Sequence, residues 1–186
     1  TTIVLPNEDT LIEVPIFAFD LSAVDSSDDI DLGTIAITVT VGGVKSINEL
    51  VKSFRLEVDG ESRRPERYVG TARSEKIIFD IDHDETVKAG RTNTLVLYTN
   101  FKNLSSVTEK TIITASVSPT DIMAEGVKNV VVGGATQNGA THTIARSGLQ
   151  LGDVVDGTGS ADSTQVVSGV STDLNYGTMF LEFEVV

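Results

Sequence analysis

The chain has 186 residues, 40% of them hydrophobic, which is enough apolar material for one substantial core or two small ones. A formal charge of -13 surrounds it with a negative field that repels phosphate backbones, so nucleic acid is not an expected partner. The absence of cysteine excludes disulfide frameworks, thiolate zinc sites and a cysteine nucleophile, and no run approaches the roughly 18 consecutive apolar residues of a membrane-spanning helix, so membrane insertion is not expected.

The first predicted strand lies in TLIEVPIFAFDLSA, residues 10–23, where the alternation of apolar and polar positions breaks near Pro15. Proline removes a ladder donor, so the break predicts an edge strand or a bulge. An acidic loop, VDSSDDIDLG, precedes TIAITVTV at 34–41, a run too short and too β-branched to favour a helix, and Gly42 and Gly43 end it. SINELVK, residues 46–52, is the best helical fragment, with Ser46 three positions before Glu49 in the spacing of a capping box, and it has room for only a turn or two.

FRLEV at 54–58 alternates as a strand and runs into Asp59-Gly60, the strongest short-range turn signal in the chain. SRRPERY, residues 62–68, reads as a basic loop. Strands are predicted at 76–81, 92–99 and 111–117, with a turn at Ala89-Gly90.

Beyond Ser118 the composition changes. GVKNVVVGGATQNG lacks the Lys-Ser/Thr ending of a phosphate-binding loop and is expected to form a strand and a hairpin turn. Residues 152–177 are rich in Gly, Ser and Asp, and Arg146 is the last basic residue, with Asp153, Asp156, Asp162, Asp173, Glu182 and Glu184 following it. A final strand is predicted over 178–186. Short strands at turn-punctuated spacing predict an all-β fold, an immunoglobulin-like or jelly-roll-like sandwich. The sandwich is expected over 1–120 and continued by 121–186, either as one domain or with a boundary near residues 118–130.

Two acidic stretches are candidate calcium sites, Asp25, Asp28, Asp29 and Asp31, then Asp80, Asp82, Asp84 and Glu85, because a hard cation wants several oxygen ligands. Neither has the EF-hand spacing. Strand alternation in DIDHDE would put Asp80, Asp82 and Asp84 on one face, where like charges repel without a cation. A solvated acidic rim is the favoured reading of both stretches, so no cofactor is expected, with calcium as the alternative. His83 and His142 are far apart and lack the helical spacing of a zinc pair, and no G-x-S-x-G elbow occurs, so no catalytic residue is predicted and the chain is read as non-enzymatic.

The order of patterns from IFAFDLSAVDSSDDIDLGTIAITVTV through FRLEVDGE, KIIFDIDHDETVKAGRTNTLVLYTNF and TIITASV resembles the repetitive β-sandwich surface domains of small-genome bacteria. The resemblance covers roughly residues 10–120 and implies surface display and scaffolding, with no catalytic residues to carry over. The expected function is an extracellular structural subunit of a surface filament, pilus-like fibre or surface layer, built from copies of itself. Met179, Phe180, Leu181, Phe183 and Val185 are the expected assembly strand, because an alternating apolar strand approached through a Gly-rich stretch can add to a neighbour's open sheet. The alternative is an adhesive or carbohydrate-binding module of a larger surface protein, with a surface glycan as its partner.

Overall fold

Alternation with period two determines the architecture. In β3 (Ile30–Gly42), Ile35, Ile37, Val39 and Val41 all turn to one side and are buried, which a lone sheet cannot achieve, so a second layer must cover them. The computed structural model describes residues 2–5, 13–102, 111–126 and 130–146, excepting the side chains of 4, 5, 82–84 and 146. Within them it is an all-β sandwich of two packed sheets.

The larger sheet runs β1 (Thr2–Leu5), β12 (His142–Arg146), β9 (Ile112–Val117), β3, β7 (Ser74–Val87) and β6 (Arg67–Thr71), with β10 (Ile122–Glu125) on β3 and β11 (Gln137–Asn138) on β9. The smaller sheet runs β2 (Glu13–Ser22), β8 (Thr92–Phe101), β4 (Val51–Val58) and β5 (Glu61–Arg63). Residues 122–146 thus add strands to the same larger sheet that β3 and β7 build. Ile77, Phe79 and Ile81 of β7 meet Leu95 and Leu97 of β8 and Phe54, Leu56 and Val58 of β4 in one core. One edge of β3 pairs with β7, while β9 and β10 share the other end to end. Between them Pro119, which has no N–H to give a ladder, opens a 3-10 turn over Pro119–Asp121.

The predicted helix is a single turn, α1 (Ile47–Leu50). Ser46 Oγ accepts the Glu49 N–H at 3.3 Å, and the Glu49 carboxylate reaches back to the N–H of Lys45, one residue before the cap. Asp59 and Gly60 both have positive φ, 48° and 87°, as a two-residue turn between twisted strands requires.

Both outcomes foreseen at Pro15 occur. β2 is an edge strand, and its register against β8 slips between Pro15 and Phe17, leaving Ile16 as the extra residue of a bulge. The bulge resets the phase of the strand: Val14 and Ile16 face inward before it, and Phe17, Phe19 and Leu21 after it. The Ile16 carbonyl accepts a hydrogen bond from His142 Nε2 at 2.8 Å, which ties the edge of the smaller sheet to β12 of the larger. Beside this tie Gly139 donates its N–H to the Ala115 carbonyl, and a Cβ there would stand 2.7 Å from the Phe17 ring. Only glycine fits without moving the ring.

On the outer face of the smaller sheet Arg55 reaches from β4 across β8 to β2. It forms a two-pronged pair with Glu13, 2.8 Å on each arm, and its guanidinium lies 4.0 Å above the Tyr98 ring. The Arg55 hydrogen bonds and charge hold the Glu13 carboxyl below the usual range.

Two readings of the sequence change. The stretch 62–68 is not a loop, because its ends enter β5 and β6 and only the link through Pro65 is irregular. Residues 130–133 are irregular, and the strand expected in that region is reduced to β11 at 137–138.

Thr99 sits fully buried near the end of β8, and its hydroxyl has no hydrogen-bond partner among the described residues. Replacing both the unmet hydroxyl and its desolvation cost with a methyl group, Thr99→Val should stabilise the fold by about 1 kcal/mol and raise the thermal midpoint by roughly 2–4 °C in a chain this size. Calorimetry checks this, and a lower midpoint would show that the hydroxyl is bonded in solution.

Candidate functional site

The first acidic stretch folds into the turn between β2 and β3. Ser26 donates to the Asp28 carbonyl and accepts the Asp28 N–H, which holds the turn in shape. Asp29 accepts the Ala89 N–H and the Lys88 ammonium, each at 2.9 Å, and Asp31 accepts the Thr86 hydroxyl at 2.8 Å. β10 then sets Glu125 opposite Asp31. Asp28, Asp29, Asp31 and Glu125 therefore line one open depression with Thr86 and Lys88. Asp25 stays outside it, exposed at the turn.

The second acidic stretch does not join the first. On β7, Asp80 pairs with Thr34 and Glu85 with Leu32, so residues 81–84 stand opposite Gly33 alone. The backbone register is therefore interrupted by an extended bulge between Asp80 and Glu85, and the side chains of 82–84 lie outside the described residues. Ile81 turns into the core, Asp82 and Asp84 lie in the bulge, and Glu85 is drawn to Arg63 Nη2 of β5 at 2.9 Å. Neither Asp80 nor Glu85 lines the depression.

Within the depression Lys88 acts as an internal counter-ion. The Ala89 N–H, then the Lys88 ammonium, hold the Asp29 carboxyl below the usual aspartate range, and the bond to Asp29 raises Lys88 in turn. A calcium ion, which wants six to eight oxygens, would have to displace Lys88 from Asp29 to gather them.

Next to this rim lies a groove of about 260 Å³, walled by Leu21, Val87, Ile122, Ala124, Val130 and Val132. No aromatic ring faces it, so it lacks the stacking platform expected of a sugar site.

The strands that end the sheets form the other functional feature. Among the described strands β1, β6, β10 and β11 pair on one side only in the larger sheet, and β2 and β5 in the smaller. β1 has four residues and β5 three, and β2 is crossed by His142 at Ile16. β6, RYVGT, has five residues, all exposed, with half of Tyr68 and Val69 open to solvent. Such an edge presents unpaired backbone donors and acceptors, ready to take up another strand. The expected assembly residues Met179, Phe180, Leu181, Phe183 and Val185 lie outside the described residues.

Sequence reasoning missed Glu125 and β6. Nothing local marks Glu125 as a partner of Asp31, because a cross-strand register 94 residues away joins them. β6 did carry a signal in Tyr68, Val69 and Thr71, which the surrounding arginines and Pro65 obscured. No protein-family model, curated protein or solved structure matches the chain.

Two measurements follow from the Lys88 pairing. A calcium site with Kd of about 0.1 mM would add about 1.4 kcal/mol at 1 mM calcium, whereas with Lys88 in place the thermal midpoint should move by less than about 1 °C. A rise of several degrees would show that the ion displaces the lysine. Asp29, depressed in the folded state, contributes stability above the ordinary aspartate range and loses it as pH falls through its folded value. Urea unfolding of Asp29→Asn should therefore show the variant weaker than the parent at neutral pH, with the difference vanishing in acid.

Proposed function

We propose that this chain is an extracellular structural subunit of a surface filament, pilus-like fibre or layer, joined copy to copy by β-strand addition and without catalysis of its own. The observation that carries this reading is β6, an exposed strand at the end of the larger sheet. The strand to be added is supplied by residues 178–186, TMFLEFEVV, where Met179, Leu181, Phe183 and Val185 share one parity. The resemblance of residues 10–120 to bacterial surface domains supports the location outside the cell. The high negative charge supports a subunit that stays dispersed until specific pairing joins it.

The groove beside Ile122 favours a second reading, a binding module of a larger surface protein. Its ligand would combine apolar and polar groups, because Asp20 and Ser22 line the groove together with Leu21 and Ile122.

Electron microscopy of the purified chain should show filaments or sheets. Among the described residues the core is built from positions between Ile3 and Ile144, so deleting residues 178–186 should abolish assembly while leaving the β-sheet circular dichroism unchanged. Filaments that persist after the deletion would overturn strand addition by this segment.

A further inference from the structure

We infer that β6 is the acceptor edge and that its occupant is residues 178–186 of a second copy. This rests on the strand-addition reading above and specifies where the strand docks.

The two faces of β6 differ in chemistry. Tyr68 stands opposite the fully buried Ile77 and its ring lies 6.4 Å from that of Phe54, so Tyr68 belongs to the inner face. Gly70, two residues on, shares that face and carries no side chain. Its φ is +150°, and a Cβ there would stand 2.4 Å from the Ser74 carbonyl oxygen, so the hairpin requires glycine, and between Tyr68 and the strand end this face carries only Glu75, opposite Gly70 on β7. A large apolar side chain on an adjoining strand is the ordinary cover for an edge glycine. On the outer face Arg67 and Val69 stand opposite Ile78 and Lys76. Arg64 and Arg73 flank the strand, and no ion pair among the described residues engages Arg64, Arg67 or Arg73.

Residues 178–186 match both faces. Met179, Leu181, Phe183 and Val185 would continue the apolar row past Tyr68 and over Gly70, and the other parity puts Glu182 and Glu184 beside the arginines. The charge distribution selects this edge. In a chain with 27 acidic and 14 basic residues, the stretch after Arg146 has six carboxylates and no Lys or Arg, so most of the molecule repels it and the β6 arginines attract it. The other one-sided strands are poorer acceptors: β1 and β10 have four residues and β11 two, β2 is tied through Ile16 to His142, and Arg63 of the three-residue β5 is already held by Glu85.

The chain has no cysteine, so full-length variants with one cysteine each can map the contact. Val69→Cys reports the outer face of β6, Glu182→Cys the matching parity of the added strand, and Ala18→Cys the exposed face of β2. Mixed under assembly conditions and treated with a short bis-maleimide, the 69 and 182 variants should give a covalent dimer in roughly tenfold higher yield than the 18 and 182 variants, because docking raises the local concentration. Predominant 18 to 182 linkage would place the acceptor on β2, overturning this inference while leaving strand addition intact. A Val69→Cys/Glu182→Cys double variant that cross-links within a dilute monomer would show that β6 takes its own chain's segment, overturning both. Absence of either cross-link, with filaments surviving deletion of residues 178–186, would overturn the strand-addition reading itself.

Discussion

The inward row of β3 has to be kept out of water, and the rest of the sandwich is arranged around that need. Ile35, Ile37, Val39 and Val41 are each worth roughly 1.5–3 kcal/mol when buried, a sum comparable with the net stability of about 5–15 kcal/mol of an ordinary domain. β3 meets the requirement by holding neighbours along both of its edges and facing the smaller sheet across the core. Where a strand would drift out of phase with the core, extra residues restore its inward face. Ile16 does so in β2, and residues 81–84 absorb a longer mismatch in β7, returning Val87 to the core.

The two sides of the sandwich are finished differently. On one side Gly139 lies against Phe17 and His142 reaches the Ile16 carbonyl, so the gap between the sheets is laced by side chain and backbone together. On the other, the chain passes from the smaller to the larger sheet through β5 and β6, and the Arg63–Glu85 pair is the main polar link. Exposed pairs contribute little, but this one is mostly shielded and its loss would strand a carboxylate that is only 12% exposed. The asymmetry leaves β6 as an edge with both polar backbone and apolar surface in reach of solvent.

Local chemistry made much of the fold legible. β-branched runs announced β3 and β9, Asp59-Gly60 announced the hairpin from β4 to β5, and Pro15 announced the disturbance in β2, because each of these depends on residues within a few positions of one another. What was not legible is pairing between distant segments. β10 and β11 are short and gain their form from docking on β3 and β9, and the four-residue bulge in β7 is a response to β3 that DIDHDE does not encode alone. The valines at 130–132 have strand composition without strand geometry, since they lie along the groove beside Ile122 and Val131 is largely exposed. Of the acidic candidates, the clustering of Asp28, Asp29 and Asp31 could be read from proximity, whereas the lysine that pairs with Asp29 arrives from 59 residues away.

The parallel pairing of β1 with β12 imposes an order in time. Thr2 through Leu5 find their partners at Thr143 through Arg146, so the earliest strand of the sandwich has no place to dock until about 140 further residues exist. At a synthesis rate of about 5–20 residues per second, Ile3, which ends up buried beside Ile144, stays in water for roughly 7–28 seconds. The β3 to β7 framework can form meanwhile, because its contacts lie within the first hundred residues. β1 and β12 would then close last, as a latch on a sandwich already standing, because chain order keeps the two halves of the latch about 140 residues apart.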